Sequence, residues 1–155
     1  MSELLLKMPV PYEVKLTNRW LIRFKGDYKD IPSWVLSKTS RPKWEATEST
    51  KEINNANSWG IKGGWSNIEI YLRDPILANS TAKVLMTAAR IAGLTSAKNK
   101  IKYDLELLDP CGVVIEKWKI KGLVELFDFG PLDYAKDDLV EIKLVIKPTK
   151  VKLCF

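Results

Sequence analysis

The chain of 155 residues carries 25 Lys and Arg against 19 Asp and Glu, a net charge of +6, and it contains no His, 2 Cys and 6 Trp. At roughly 150 residues per domain this length fits one domain, and 46% hydrophobic with 28% charged residues is a globular composition rather than a disordered or collagen-like one. The lack of His excludes His-based triads, Cys-His dyads and His-ligated zinc from the chain itself.

Cys111 and Cys154 are too few for a thiolate-only metal site and read as free thiols of a reducing compartment. Leu4-Leu5-Leu6 and the stretch from Leu139 to Ile146 are broken by charges far short of the ~20 residues of a membrane span. The first of these, set between Glu3 and Lys7, also lacks the basic start and long apolar run of a signal peptide. A soluble chain of cytoplasmic origin with no membrane partner is expected. Charge is uneven along the sequence. From Asp104 to Glu141 ten acids stand against four lysines, a net of -6, so the remainder carries +12. Two patches of opposite sign on one molecule suit a head-to-tail contact between identical subunits, with solvated faces as the plainer reading.

In chain order, Arg19 to Phe24 alternates with Trp20, Ile22 and Phe24 on one side and reads as a first strand. Ile31 to Thr39, bracketed by Ile31-Pro32 and Arg41-Pro42, reads as a second short strand. Residues 43–58 read as a hairpin, a loop or both. Ser66 to Arg73 alternates Ile68, Ile70 and Leu72 against Glu69, Tyr71 and Arg73 and stops at Asp74-Pro75. After Asn79-Ser80, Val84, Leu85, Ala88, Ile91 and Ala92 recur at helical spacing up to Gly93, which predicts one helix with that stripe packed on a sheet. Tyr103, Leu105 and Leu107 lead through the Asp109-Pro110-Cys111-Gly112 turn into Val113 to Ile120, a hairpin. Gly122 is expected to end that strand, Leu123 to Phe129 to form another, and Leu139 to Lys147 to close the fold with Val140, Ile142, Leu144 and Ile146 on one face. About seven mostly sequential strands and one helix predict a mainly β fold, an antiparallel two-sheet barrel or sandwich with the helix on its flank.

The search for chemistry is mostly negative. The sequence holds no P-loop, no dinucleotide fingerprint, no nucleophile elbow and no cysteine pair at metal spacing. Gly60-Ile61-Lys62-Gly63-Gly64 does not open a helix after a strand and reads as a turn, and Asp133, Asp137 and Asp138 read as a solvated or ion-pairing edge rather than a cation site. No enzyme, cofactor or metal is expected. Six Trp interspersed with Lys and Arg leave open an OB-like module stacking single-stranded bases. Trp34, Trp44, Trp59 and Trp65 near strand ends equally suit a barrel mouth or a subunit interface.

An ordered set of short motifs spans residues 18–147. Arg19-Trp20, Lys38-Thr39-Ser40-Arg41-Pro42, Trp59-Gly60, Trp65-Ser66-Asn67-Ile68-Glu69-Ile70 and Asp74-Pro75-Ile76 come first. They are followed by Leu107-Leu108-Asp109-Pro110-Cys111-Gly112-Val113-Val114-Ile115-Glu116-Lys117-Trp118, Ile120-Lys121-Gly122, Phe127-Asp128-Phe129-Gly130, Leu132-Asp133-Tyr134 and Asp138-Leu139-Val140-Glu141-Ile142. With these the chain resembles the tail tube protein family of contractile-tailed bacteriophages. The resemblance implies a tail-tube-like barrel over a single domain, residues 1–155, with an N-terminal arm at 1–17 and a C-terminal extension at 148–155. It implies hexameric rings stacked head to tail inside a sheath, the architecture that type VI secretion tube proteins share, as the conduit for genomic DNA in a virion tail assembled in the host cytoplasm. Implied partners are further copies of the chain, the sheath protein, baseplate and terminator proteins, and DNA that passes without specific binding. A tube initiator or terminal tail protein of the same fold is the alternative role.

Within that frame Asp133, Tyr134, Asp137, Asp138, Lys83, Arg90, Trp59 and Trp65 are the expected subunit-interface residues. Glu69, Tyr71, Arg73, Asp104 and Glu106 are the expected lumen-facing ones. A positive bore would hold phosphates and oppose sliding, so a neutral or acidic lumen is expected, with the basic residues at ring contacts or on the exterior.

Overall fold

A computed structural model describes residues 14–48, 61–76, 80–92 and 99–155. Its elements are β1 (Trp20–Lys25), β2 (Leu36–Lys38), β3 (Trp44–Glu48), β4 (Ile61–Trp65), β5 (Ile68–Arg73), helix α1 (Thr81–Ala92), β6 (Lys100–Leu108), β7 (Val114–Asp128) and β8 (Glu141–Leu153). Six strands form one antiparallel sheet in the order β1-β6-β7-β8-β5-β2, and β3 pairs with β4 in a second, two-stranded sheet. The large sheet curls toward closure, so β1 and β2, its two edges, approach each other. There the Ser33 hydroxyl donates to the Ile22 carbonyl at 3.0 Å. The expected mainly β barrel with one flanking helix is what forms.

Two-residue alternation drives this closure. Ile68, Ile70 and Leu72 of β5, Ile142, Leu144 and Ile146 of β8, and Ile22 of β1 are buried on the inner face, while Glu69, Arg73 and Arg23 point outward. Fully burying each such aliphatic side chain contributes about 1.5–3 kcal/mol. α1 adds Leu85, Ala88 and Ala89 to the interior. Its start is fixed by polar partners: the Asp74 carboxylate accepts from the Ala82 amide at 3.3 Å, and the Thr81 hydroxyl donates to the Arg73 carbonyl at 2.8 Å. An acid at this end also suits the helix dipole. Ile91 departs from the expected stripe and is 72% exposed. The side chain of Ala92 and the Gly93 stop lie outside the described residues.

Several boundaries differ from expectation: the closing strand, expected from Leu139, begins at Glu141, and Val140, expected on its inner face, is 39% exposed in the segment before it. The expected strand from Ile31 to Thr39 is instead one 3-10 turn, Ser33–Val35, followed by the short β2. Pro32 has no amide proton for a ladder, and its carbonyl accepts from the Val35 amide, which turns the chain, buries Val35 and leaves Trp34 exposed. Gly122 does not end a strand but sits inside the 15-residue β7 at a register shift opposite Pro148 of β8. Residues 148–153, expected as part of an extension, continue β8 along β7, with Ile120 opposite Val151 and Trp118 opposite Leu153. Of the open region 43–58, β3 is strand and pairs with β4, while residues 49–60 lie outside the described residues.

Candidate assembly surfaces

The outward side of the curled sheet divides into two halves of different charge. On β1, β6, the first half of β7 and the last part of β8, the register brings Arg23 opposite Asp104, Lys25 opposite Lys102, Lys117 opposite Glu106, Lys121 opposite Lys102, Lys119 opposite Lys152 and Lys121 opposite Lys150. Eight cations against two acids make this half strongly basic. The two acids are also its floor, because Asp104 and Glu106 are 2% and 5% exposed. Asp104 is held by Lys25 at 2.8 Å and lies 3.7 Å from Lys117, and Glu106 accepts from Arg23 at 2.6 Å.

Cations from the flanking strands close over Asp104 and Glu106, so what this half presents to solvent is positive. The fold also divides the acidic span from residue 104 to 141, because acids contiguous in sequence are separated in space. Glu116, 5% exposed, belongs to neither outward half. It accepts from Lys15 at 2.6 Å and from the Trp118 indole at 2.7 Å, with Arg41 at 3.3 Å. Burial pushes its carboxyl up, but the hydrogen bonds from Lys15 and Trp118 and the charges of Lys15 and Arg41 outweigh burial and hold it below the usual range.

The other half, on β2, β5, the end of β7 and the start of β8, is balanced. Arg73 stands opposite Glu141, Tyr71 opposite Lys143 and Lys38, and Asp128 opposite Lys143. With Glu69 this makes three acids and three cations. Glu69 accepts from Lys143 at 3.0 Å and from the Tyr71 hydroxyl at 3.1 Å, and these bonds, Lys143 first, lower its carboxyl from the ordinary value. Glu69, Tyr71 and Arg73 therefore share one face, as their alternation predicted.

Between β7 and β8 runs the irregular segment 129–140, which bears Leu132 at 86%, Tyr134 at 112% and Leu139 at 73% exposure. Gly130 opens it with φ +87°, where a side chain would also strike the Glu141 carbonyl at 2.6 Å. Asp133 accepts from the Ala135 amide at 2.9 Å and shapes the turn. Asp133, Tyr134, Asp137 and Asp138 all lie exposed in this segment, the tip between β7 and β8. Lys83 and Arg90, two turns apart on α1, are both exposed. Trp65 is half-buried, packed edge to face on Trp118 with ring centroids 6.4 Å apart. Trp59 lies outside the described residues.

Sequence reasoning missed a cavity of about 220 Å³ at the opposite end of the barrel, lined by Lys15, Leu16, Thr17, Trp20, Thr39, Ser40, Arg41, Leu105 and Leu107. Its walls come from four separate stretches of chain, so no local pattern announces it. The basic half was legible only in part, through the Lys117-Trp118-Lys119-Ile120-Lys121 and Lys150-Val151-Lys152 alternations. The aromatic residues of these strands, Trp20, Phe24, Tyr103 and Trp118, take the alternate, inward positions. Among the described residues no group of three or more acids or cysteines is arranged to hold a metal ion, and no helix is long and apolar enough to cross a membrane.

No family model matches the chain, and no curated protein sequence matches it. Solved structures do. The chain is similar to one in the sheath/tube terminator of an extracellular contractile injection system, PVC, in the extended state, with TM-score 0.62 and 14% identity over 95% of this chain and 100% of that one. It is similar to a chain of the anti-feeding prophage tube-terminating cap, with TM-score 0.61 and 15% identity over 95% of this chain and 94% of that one. A chain of the PVC sheath-tube complex in the extended state matches with TM-score 0.56 and 15% identity over 98% and 95%. The chain has the fold found in these components of contractile injection systems.

Proposed function

We propose that the chain is a structural, non-catalytic subunit of a contractile tail, and that its copies form hexameric rings stacked into the hollow inner tube through which DNA leaves a virion. The observation that carries this reading is that the fold matches parts of contractile injection systems over nearly the whole of both chains. The charge-balanced half around Glu69, Tyr71 and Arg73 is the wall of the bore, where alternating signs leave no net pull on passing phosphates. The basic half lies at subunit contacts or toward the sheath. The exposed tip with Asp133, Tyr134, Asp137 and Asp138, together with Lys83, Arg90, Trp59 and Trp65, supplies subunit contacts. Partners are further copies of the chain, a sheath protein, and baseplate and terminator proteins, assembled in the host cytoplasm.

A second reading has one observation in its favour. The terminator and cap matches score 0.62 and 0.61, above the 0.56 of the sheath-tube complex, which suits a subunit that ends or starts a tube with a single ring. Negative-stain electron microscopy of the purified protein across concentration and salt separates the two. Hollow tubes of uniform width support the tube subunit, isolated six-fold rings support the terminal role, and a monomer that binds single-stranded DNA with steep salt dependence refutes both.

A further inference from the structure

On the outward basic half the register lays two rows of charge across four strands. Lys25, Lys102, Lys121 and Lys150 stand opposite one another on β1, β6, β7 and β8, and Arg23, Asp104, Lys119 and Lys152 form the row beside them. With neighbouring strands ~4.8 Å apart, each row spans roughly 14 Å. Like charges directly opposite one another destabilise a sheet, and the first row sets lysine against lysine at every pairing. This arrangement costs the fold stability instead of supplying it. Asp104 and Glu106 engage Lys25, Lys117 and Arg23. The other five cations, Lys102, Lys119, Lys121, Lys150 and Lys152, are exposed and form no ion pair with any described residue.

The chemistry of this face selects among anionic partners. A protein interface has an apolar centre enriched in aromatics and Arg and depleted in Lys. Here both rows are charged at every position, and Arg23 is the one cation of the half that is not Lys. Lys meets phosphate as a point charge on a flexible stem, whereas Arg forks onto a carboxylate in fixed geometry. Duplex DNA carries one charge per ~1.7 Å of axis, so ~14 Å of it brings about eight phosphates to a face of this width.

We propose that the two rows bind the phosphate backbone of duplex DNA. The inference goes beyond the tube reading, because it concerns the face that a subunit presents before its neighbours cover it. Phosphate contacts carry no sequence information, so affinity is indifferent to sequence and governed by salt.

The test is fluorescence anisotropy of a labelled 20-base-pair duplex titrated with the full chain across NaCl concentration. Five free lysines predict that log Kd rises with log salt at a slope of about 4.5, an affinity loss of about 500-fold between about 50 and 200 mM. Lys102→Gln, Lys121→Gln, Lys150→Gln removes three of these charges and should lower the slope to about 2; circular dichroism should show it folded and no less stable, since it relieves the facing charges. Lys29→Gln, Lys43→Gln, Lys136→Gln removes the same net charge from exposed positions elsewhere and should keep the parent's slope. A parent that binds no duplex at low salt overturns the proposal, as does a row variant with the parent's slope or a control that loses as much as the row variant. A row variant that loses assembly while the parent ignores DNA also overturns it, and marks the face as a contact with an acidic protein surface. Sedimentation of the same samples reports the tube reading separately, because a parent that is monomeric at every concentration fails that reading whatever the duplex does.

Discussion

Gly122 lies at a register shift between β7 and β8, and replacing it with Ala sets two effects against each other. In a strand interior, Ala is favoured over Gly by roughly 0.5–1 kcal/mol because it loses less backbone freedom on folding. The added Cβ, however, would lie 2.6 Å from the Lys147 carbonyl oxygen and 2.6 Å from Cγ2 of Ile146. Ile146 is fully buried and Lys147 contributes backbone, so neither neighbour yields freely. Ordinary contact needs about 3.4 Å, so β8 must move outward by roughly 0.8 Å, and overpacking of this kind costs about 1–3 kcal/mol. The clash outweighs the propensity gain, and Gly122→Ala should destabilise the fold by about 1–2 kcal/mol. At ~2.1 cal/mol/K per residue the chain's unfolding entropy is about 0.33 kcal/mol/K, so Tm should fall by about 3–6 °C. Thermal unfolding followed by circular dichroism measures it. A Tm equal to or above that of the parent would refute the reasoning and mean that the ribbon relaxes around the methyl group.

Leu144→Ala removes a side chain with no solvent exposure from the centre of the core and should cost about 2–5 kcal/mol in denaturant unfolding. Glu116 titrates below the ordinary 4.5 when folded, so its contribution is present above that pH and is lost as pH falls through the lower folded value. Glu116→Gln should therefore flatten the acid limb of a stability-pH profile and leave the difference between the two proteins largest near neutrality. Burial, offset in part by Asn99, pushes the Tyr28 phenol up to about 12, and burial alone pushes Tyr103 higher still. A raised phenol pKa stabilises the fold below the unfolded value of ~10, and that stability is lost as pH climbs toward the folded value. Phenolate absorbance should accordingly report these two tyrosines only together with alkaline unfolding. Early titration of all 5 tyrosines with the fold intact would count against their burial.

The strands with one wet and one dry face were the most legible part of the molecule. β5 and the start of β8 alternate without interruption because a single local rule, outward polar and inward apolar, governs every position. β6 obeys the same alternation, yet its acids are covered, because their partners lie on β1, with Arg23 and Glu106 separated by 83 positions in sequence. Gly122 misled for a related reason: glycine marks breaks and close approaches alike, and only the path of β8 shows which applies. The tip was legible as a set of acids and a tyrosine between strands. The cavity that faces the other way was not, since residues 15–17, 20, 39–41, 105 and 107 converge only once the sheet has curled.

The long β7–β8 pairing also has a mechanical meaning. The two ends of β7 are joined by an antiparallel ladder with β8 that runs from Asp128 opposite Lys143 to Trp118 opposite Leu153 and shifts register twice on the way, and the C-terminal residues extend it, with the Cys154 amide donating to the Lys117 carbonyl at 2.8 Å. A load applied between the two ends acts along these strands, so it meets the ladder bonds in shear and loads many of them together instead of peeling them one by one. The bonds that join the two ends of these strands therefore share such a load.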